Sequence, residues 1–118
     1  MQLFKIKIHL RILTTSEEEG KLLILLNENG ESPCFMLEDN RTLDEQLVDN
    51  LNSLFYENDM YIIHGTKQVS NIEIDKDEQS LSIYFNFISP STASKSGSFA
   101  IFDKKSIELH RLMNNRGI

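Results

Sequence analysis

The residues able to do chemistry fall into a few groups along the 118-residue chain. Glu38, Asp39, Asp44, Glu45 and Asp49 crowd one stretch, and a spacing of four puts Glu45 and Asp49 one helical turn apart. With Glu38 they make a carboxylate set of the kind that binds a divalent cation through oxygen. The plainer reading is a solvated helix face with a capping glutamate, and it is favoured because charged faces are the norm on soluble helices. His9, His64 and His110 sit on separate segments without H-x3-H spacing, so they read as surface or packing histidines. His64, just before Gly65, is the one nearest a place where a cleft would open. Cys34 is the single cysteine and has no neighbouring histidine, so it reads as an inert thiol.

These residues are carried by recognisable elements. In LFKIKIHLRIL, residues 3–13, Phe4, Ile6, Ile8, Leu10 and Ile12 alternate with Lys5, Lys7, His9 and Arg11, the period of a half-buried strand. Its basic stripe reads as a solvent-facing strand face. Leu22–Leu26, apolar on both sides, predicts a strand in the middle of a sheet. NENGESP follows as a loop, then a short strand over Cys34–Leu37. Thr42 and Glu45 have capping-box spacing, and Leu43, Leu47, Val48, Leu51, Leu54 and Phe55 form one helical stripe, closed by Glu57-Asn58-Asp59.

Beyond that helix the pattern predicts a strand at Met60–His64, another at Val69–Ile74, a turn at Asp75–Glu78 and a strand through Leu81, Ile83, Phe85 and Phe87. Residues 89–98, SPSTASKSGS, read as a flexible Ser-rich loop. A last helix is expected after Asp103, carrying Ile107, Leu109, Leu112 and Met113. The order predicts one α/β (α+β) domain over 1–118: a mixed curved sheet with a central helix on one side and a C-terminal helix on the other.

Composition limits the function classes. Twelve Lys+Arg against 18 Asp+Glu give a net charge of −6, a poor match to the basic footprint of nucleic-acid binding. One cysteine cannot form an intrachain disulfide and suits a reduced, cytoplasmic setting. The longest apolar run, residues 22–26, is far short of the roughly 20 residues of a membrane span, and residues 1–13 lack the unbroken apolar core of a secretory signal.

The element order and three phrases resemble the Nudix fold. They are the KLLILL strand with the ESP loop and CFML, TLDEQLVDNLNSLF at 42–55, and FAIFDKKSIELHRL at 99–112, which is similar to the opening of the C-terminal helix in the ADP-ribose-related branch. The resemblance implies an α/β/α sandwich and, in the full signature G-x5-E-x7-R-E-U-x-E-E-x-G-U, glutamates that hold divalent metal on a substrate pyrophosphate. Here R-E-U-x-E-E falls on Asp49, Asn50, Leu51, Asn52, Ser53 and Leu54, the upstream glutamate falls on Arg41, and the glycine loop reads Glu38-Asp39-Asn40. Amides and a leucine cannot replace clustered carboxylates on magnesium, so pyrophosphate hydrolysis by this route is expected to be lost.

The function expected from the resemblance is a non-catalytic interaction module, an adaptor or assembly component with a protein partner or as a homodimer. Its alternative is a sensor binding a nucleotide or ADP-ribose-like ligand without cleavage, and a divergent hydrolase ranks third. No catalytic residue, metal ligand or cofactor is assigned. For a retained ligand, Glu38, Arg41, Glu45, Asp49 and His64 are the candidate contacts.

Overall fold

The computed structural model describes residues 4–16 and 20–101. Its spine is β1, Lys5–Thr15, whose alternation buries Ile8, Leu10 and Ile12 on one face while Lys5, Lys7, His9 and Arg11 take the other. One edge of β1 pairs in parallel with β5 (Ser80–Ile88), from Lys5 opposite Ser80 to Leu13 opposite Ile88. The other edge is shared by two antiparallel strands. Leu13–Thr15 pair with β2 (Leu22–Leu26), and Lys7–His9 pair with β3 (Cys34–Met36). Between them residues 27–33 bow outward, closed by the Asn27 side chain, which accepts from the Asn29 and Glu31 amides.

The sheet is completed by β4 (Gln68–Asp75), antiparallel to β5, and β6 (Ser98–Ile101), antiparallel to β2, in the order β4-β5-β1-β2-β6 with β3 beside β1. The Leu22–Leu26 run therefore has a strand on each side, as its two-sided apolar character predicts. The Asp75 carboxylate accepts from the Asp77 and Glu78 amides and so shapes the β4–β5 turn.

Helix α1, Leu43–Leu54, starts where Thr42 Oγ1 accepts from the Glu45 amide. This is half of the expected capping box. The Glu45 carboxylate instead lies 3.7 Å from Arg41 Nε. Leu47, Leu51 and Phe55 then pack with Ile8, Leu10, Ile12, Phe85 and Phe87 in one core cluster. Thr42→Ala is expected to lower stability by about 1 kcal/mol in chemical denaturation, the usual cost of an N-cap.

Residues 57–64 correct the sequence reading. The expected strand at Met60–His64, and the Glu57-Asn58-Asp59 stop before it, are together a second helix, α2, Glu57–His64. Met-Tyr-Ile-Ile favours a strand by propensity, but burial has a helical period: Met60 and Ile63 enter the core while Tyr61 and Ile62 face outward. Glu57 and Asp59 lie in the first turn, where carboxylates complement the helix dipole, so the residues read as a stop are the start of α2.

Over the described residues the result is a mixed α+β fold, a six-stranded mixed sheet with two helices. Both helices contribute to the same core cluster and therefore lie on the same face. The predicted C-terminal helix after Asp103 lies outside the described residues. No helix among the described residues is long and apolar enough to cross a membrane.

Candidate functional site

Four of the five candidate contacts come together at the start of α1. Arg41 donates from Nη2 to the Asp49 carboxylate and lies 3.7 Å from Glu45, and the Glu38 charge also acts on it. The hydrogen bond to Asp49, above all, raises the Arg41 pKa. The two carboxylates one turn apart thus clasp an arginine side chain, and any cation bound between them would have to displace a guanidinium. Among the described residues, no group of three or more His, Cys, Asp and Glu is placed to hold a metal. Asp49 and Glu45 are 56% and 60% exposed, and pairs of that kind contribute little. Arg41→Ala should leave the midpoint of denaturant unfolding nearly unchanged.

His64 is apart from this group. It ends α2, and its Nε2 is 3.9 Å from Asp44 Oδ1, beyond hydrogen-bonding distance. Lys67 Nζ holds that oxygen at 2.5 Å and pulls the Asp44 carboxyl below its usual range. Glu45 and Asp44 are adjacent in sequence but face different partners, which divides the predicted set between two sides of one helical turn.

The positions at which the resemblance would expect glutamates do meet a concavity. Asn50, Ser53 and Leu54 line a cleft of about 230 Å³ together with Asn27, Cys34 and Gly97. Asn50 Nδ2 donates to the Gln46 carbonyl at 2.7 Å and Ser53 Oγ to the Asn50 carbonyl at 2.6 Å, so both side chains bond back onto their own helix. No carboxylate appears among the described residues lining the cleft. The Ser-rich loop borders it and is tied to α1 by the Lys95 amide, which donates to the Leu54 carbonyl.

Two features escaped the sequence reading. On the sheet face opposite the helices, the basic stripe is partly engaged. His9 stacks on Tyr84 with ring centroids 4.2 Å apart, Arg11 lies 4.6 Å from the same ring, and Tyr84 donates its hydroxyl to Glu73. The His9–Tyr84 contact follows from the parallel register of β1 and β5, which residue types alone do not reveal. Burial, then Lys7 and Arg11, push the His9 pKa below its ordinary 6.5, against the weaker pull of Glu73 and Glu31. The folded state thus prefers neutral His9. Its contribution is fully present above pH 6.5 and is lost as pH falls through the lowered value. Melting temperature followed from pH 7.5 to 5 should fall less in His9→Phe, which keeps the stack, than in the parent chain.

The second feature is a cavity of about 340 Å³ at the carboxyl ends of the parallel strands β1 and β5, lined by Leu13, Thr14, Leu22, Thr66, Asn86 and Ile88 among others. Asn86 is only 7% exposed and its Oδ1 has no hydrogen-bond partner. The described lining residues carry no charge. Such a site suits a neutral group bearing an N–H or O–H donor, not a phosphate.

Compared with models of known protein families and with curated proteins, the chain matches none.

Proposed function

We propose that the chain is a non-catalytic, Nudix-like module that works by protein–protein interaction. The observation that carries this reading is the apolar row on β4, an edge strand among the described residues. Val69, Ile72 and Ile74 are 46%, 56% and 63% exposed on the helix-bearing side of the sheet, beyond the cover of α1 and α2. Aliphatic rows beside an exposed strand edge mark association surfaces. The cleft at Asn50, Ser53 and Leu54 supports the non-catalytic part, since the described residues that line it are amides, hydroxyls and apolar groups where metal-assisted pyrophosphate hydrolysis requires carboxylates.

Lysines flank β4 at positions 67 and 76, so amine-reactive cross-linking in native extract reports directly on this surface. Intermolecular cross-links from Lys67 or Lys76 are the expected result, and only intramolecular ones would overturn the interaction reading. Incubation with ADP-ribose or nucleoside triphosphates and magnesium should release no phosphate or monophosphate. Release would restore the hydrolase.

A ligand sensor is the second reading, favoured by the 340 Å³ cavity and the unpartnered Asn86 Oδ1, which suit the uncharged base or ribose of a nucleotide-like ligand while its phosphates stay outside the cavity. A rise in melting temperature with ADP-ribose or nucleotides would support it by mass action, and a flat response across that panel would leave the interaction module.

A further inference from the structure

We propose that the partner at this surface is a second copy of the chain, joined through antiparallel pairing of the two β4 edges about a two-fold axis at Ile72. The inference rests on reading the chain as an interaction module and names its partner. Among the described residues, β5 is the only strand paired with β4, which leaves the outer edge of an eight-residue strand without a neighbour in the sheet.

The strand is complementary to itself. A break in register between Val69 and Asn71 accommodates Ser70 as an extra residue, so Val69, Ile72 and Ile74 share one face, opposite Phe85, Ile83 and Leu81 of β5. With Ile72 facing Ile72 of the second copy, this bulge sets Val69 opposite Ile74 and Ile74 opposite Val69. Six aliphatic side chains then form one continuous row across the joint. On the other face Asn71 comes opposite Glu73 twice, an amide facing a carboxylate. The same two residues already hydrogen-bond within one chain, Asn71 Nδ2 to Glu73 Oε1 at 3.2 Å. Parallel pairing in register would instead set Glu73 against Glu73.

Charge points to the same arrangement. Lys67 precedes β4, and the turn after it, Asp75-Lys76-Asp77-Glu78, carries three carboxylates and one ammonium. In this register Gln68 comes opposite Asp75 and Lys67 opposite Lys76, so Lys67, which also holds its own chain's Asp44, lies at the end of a turn whose net charge is negative, twice per dimer, as an isologous interface demands. The strand has no proline, and no lysine interrupts its aliphatic row.

Sedimentation equilibrium of the full chain over a range of concentrations tests the proposal. The parent chain should be a dimer and Ile72→Lys a monomer with an unchanged circular-dichroism spectrum, since the residue is exposed. A monomeric parent at every concentration, or a dimer indifferent to Ile72→Lys, overturns it. Charge reversal gives an independent test. Lys67→Glu alone and Asp77→Lys/Glu78→Lys alone should each weaken self-association on the order of tenfold. A one-to-one mixture should regain it, because only the mixed dimer pairs opposite charges at both ends. A mixture no stronger than its components refutes the antiparallel arrangement. Cross-links from Lys67 or Lys76 to a different protein, with a monomeric parent, would leave the interaction reading standing and remove this one.

Discussion

Gln46→Leu should lower unfolding free energy by about 2–4 kcal/mol, although leucine is the better helix former and nearly matches the side-chain volume. Gln46 is 3% exposed on the core side of α1. Its Oε1 accepts from the Glu38 amide at 2.8 Å, and its Nε2 donates to the carbonyls of Glu38 and Arg41, each at 3.0 Å, with a longer contact of 3.4 Å to Thr42. One side chain thus satisfies both backbone groups of Glu38 and holds the 38–42 connection against the helix it precedes. Leucine leaves these part-buried groups without partners, and each such group costs about 1–3 kcal/mol where water cannot replace the bond. Gln46→Glu separates polarity from geometry. It keeps an acceptor for the Glu38 amide but sets a carboxylate against two carbonyl oxygens, so its deficit should shrink as pH falls and the introduced group takes up a proton. Denaturant unfolding of the three proteins at pH 7 and pH 5 measures both effects. An unaltered midpoint for Gln46→Leu would mean that the clamp contributes nothing.

Gln46 also shows where the sequence was legible. The α1 stripe from Leu43 to Phe55 and the alternation of β1 could be read because each repeats a period tied to one buried face. Gln46 breaks that pattern, a polar residue on the buried side, and its role depends on a connection eight residues away. The β5 strand was legible from alternation and the turn before it from its Asp residues, with β4 read only as an extended stretch, and nothing in that stretch fixed the edge position of β4, because exposure of Val69, Ile72 and Ile74 is set by which strands and helices arrive from elsewhere. At α2, four apolar residues in succession carry no period, and tertiary packing chose the helix. The candidate contacts fared in the same way. Spacing joined Glu45 to Asp49, but the arginine between them came from the preceding turn, and His64 was drawn away with Asp44 and Lys67.

Gly97→Ala should cost about 2–4 kcal/mol, far more than the same change at Gly30, and the contrast isolates one close approach. Both glycines have positive φ, +79° at Gly97 and +75° at Gly30, where an L side chain is disfavoured by about 1–2 kcal/mol. At Gly30 an added Cβ meets nothing within 4 Å. At Gly97 it would stand 2.6 Å from the Leu26 carbonyl oxygen and 3.3 Å from Leu25 Cδ1. The oxygen belongs to β2, whose Leu26 is paired with Ser98 of β6, so the conflict can be relieved only by moving the strand joint that begins one residue later. Gly97 also lines the cleft beside Asn50 and Ser53, and its carbonyl accepts from Ser94 Oγ at 3.2 Å. Displacing it therefore loosens the loop that borders the cleft as well as β6. Hydrogen exchange should show the Gly97→Ala loss concentrated in residues 98–101 and their β2 partners. In Gly30→Ala protection there should be unchanged, the strain being confined to the outward bow of 27–33. Equal losses in the two variants would show that backbone conformation alone, and not the approach of β2, demands glycine at 97.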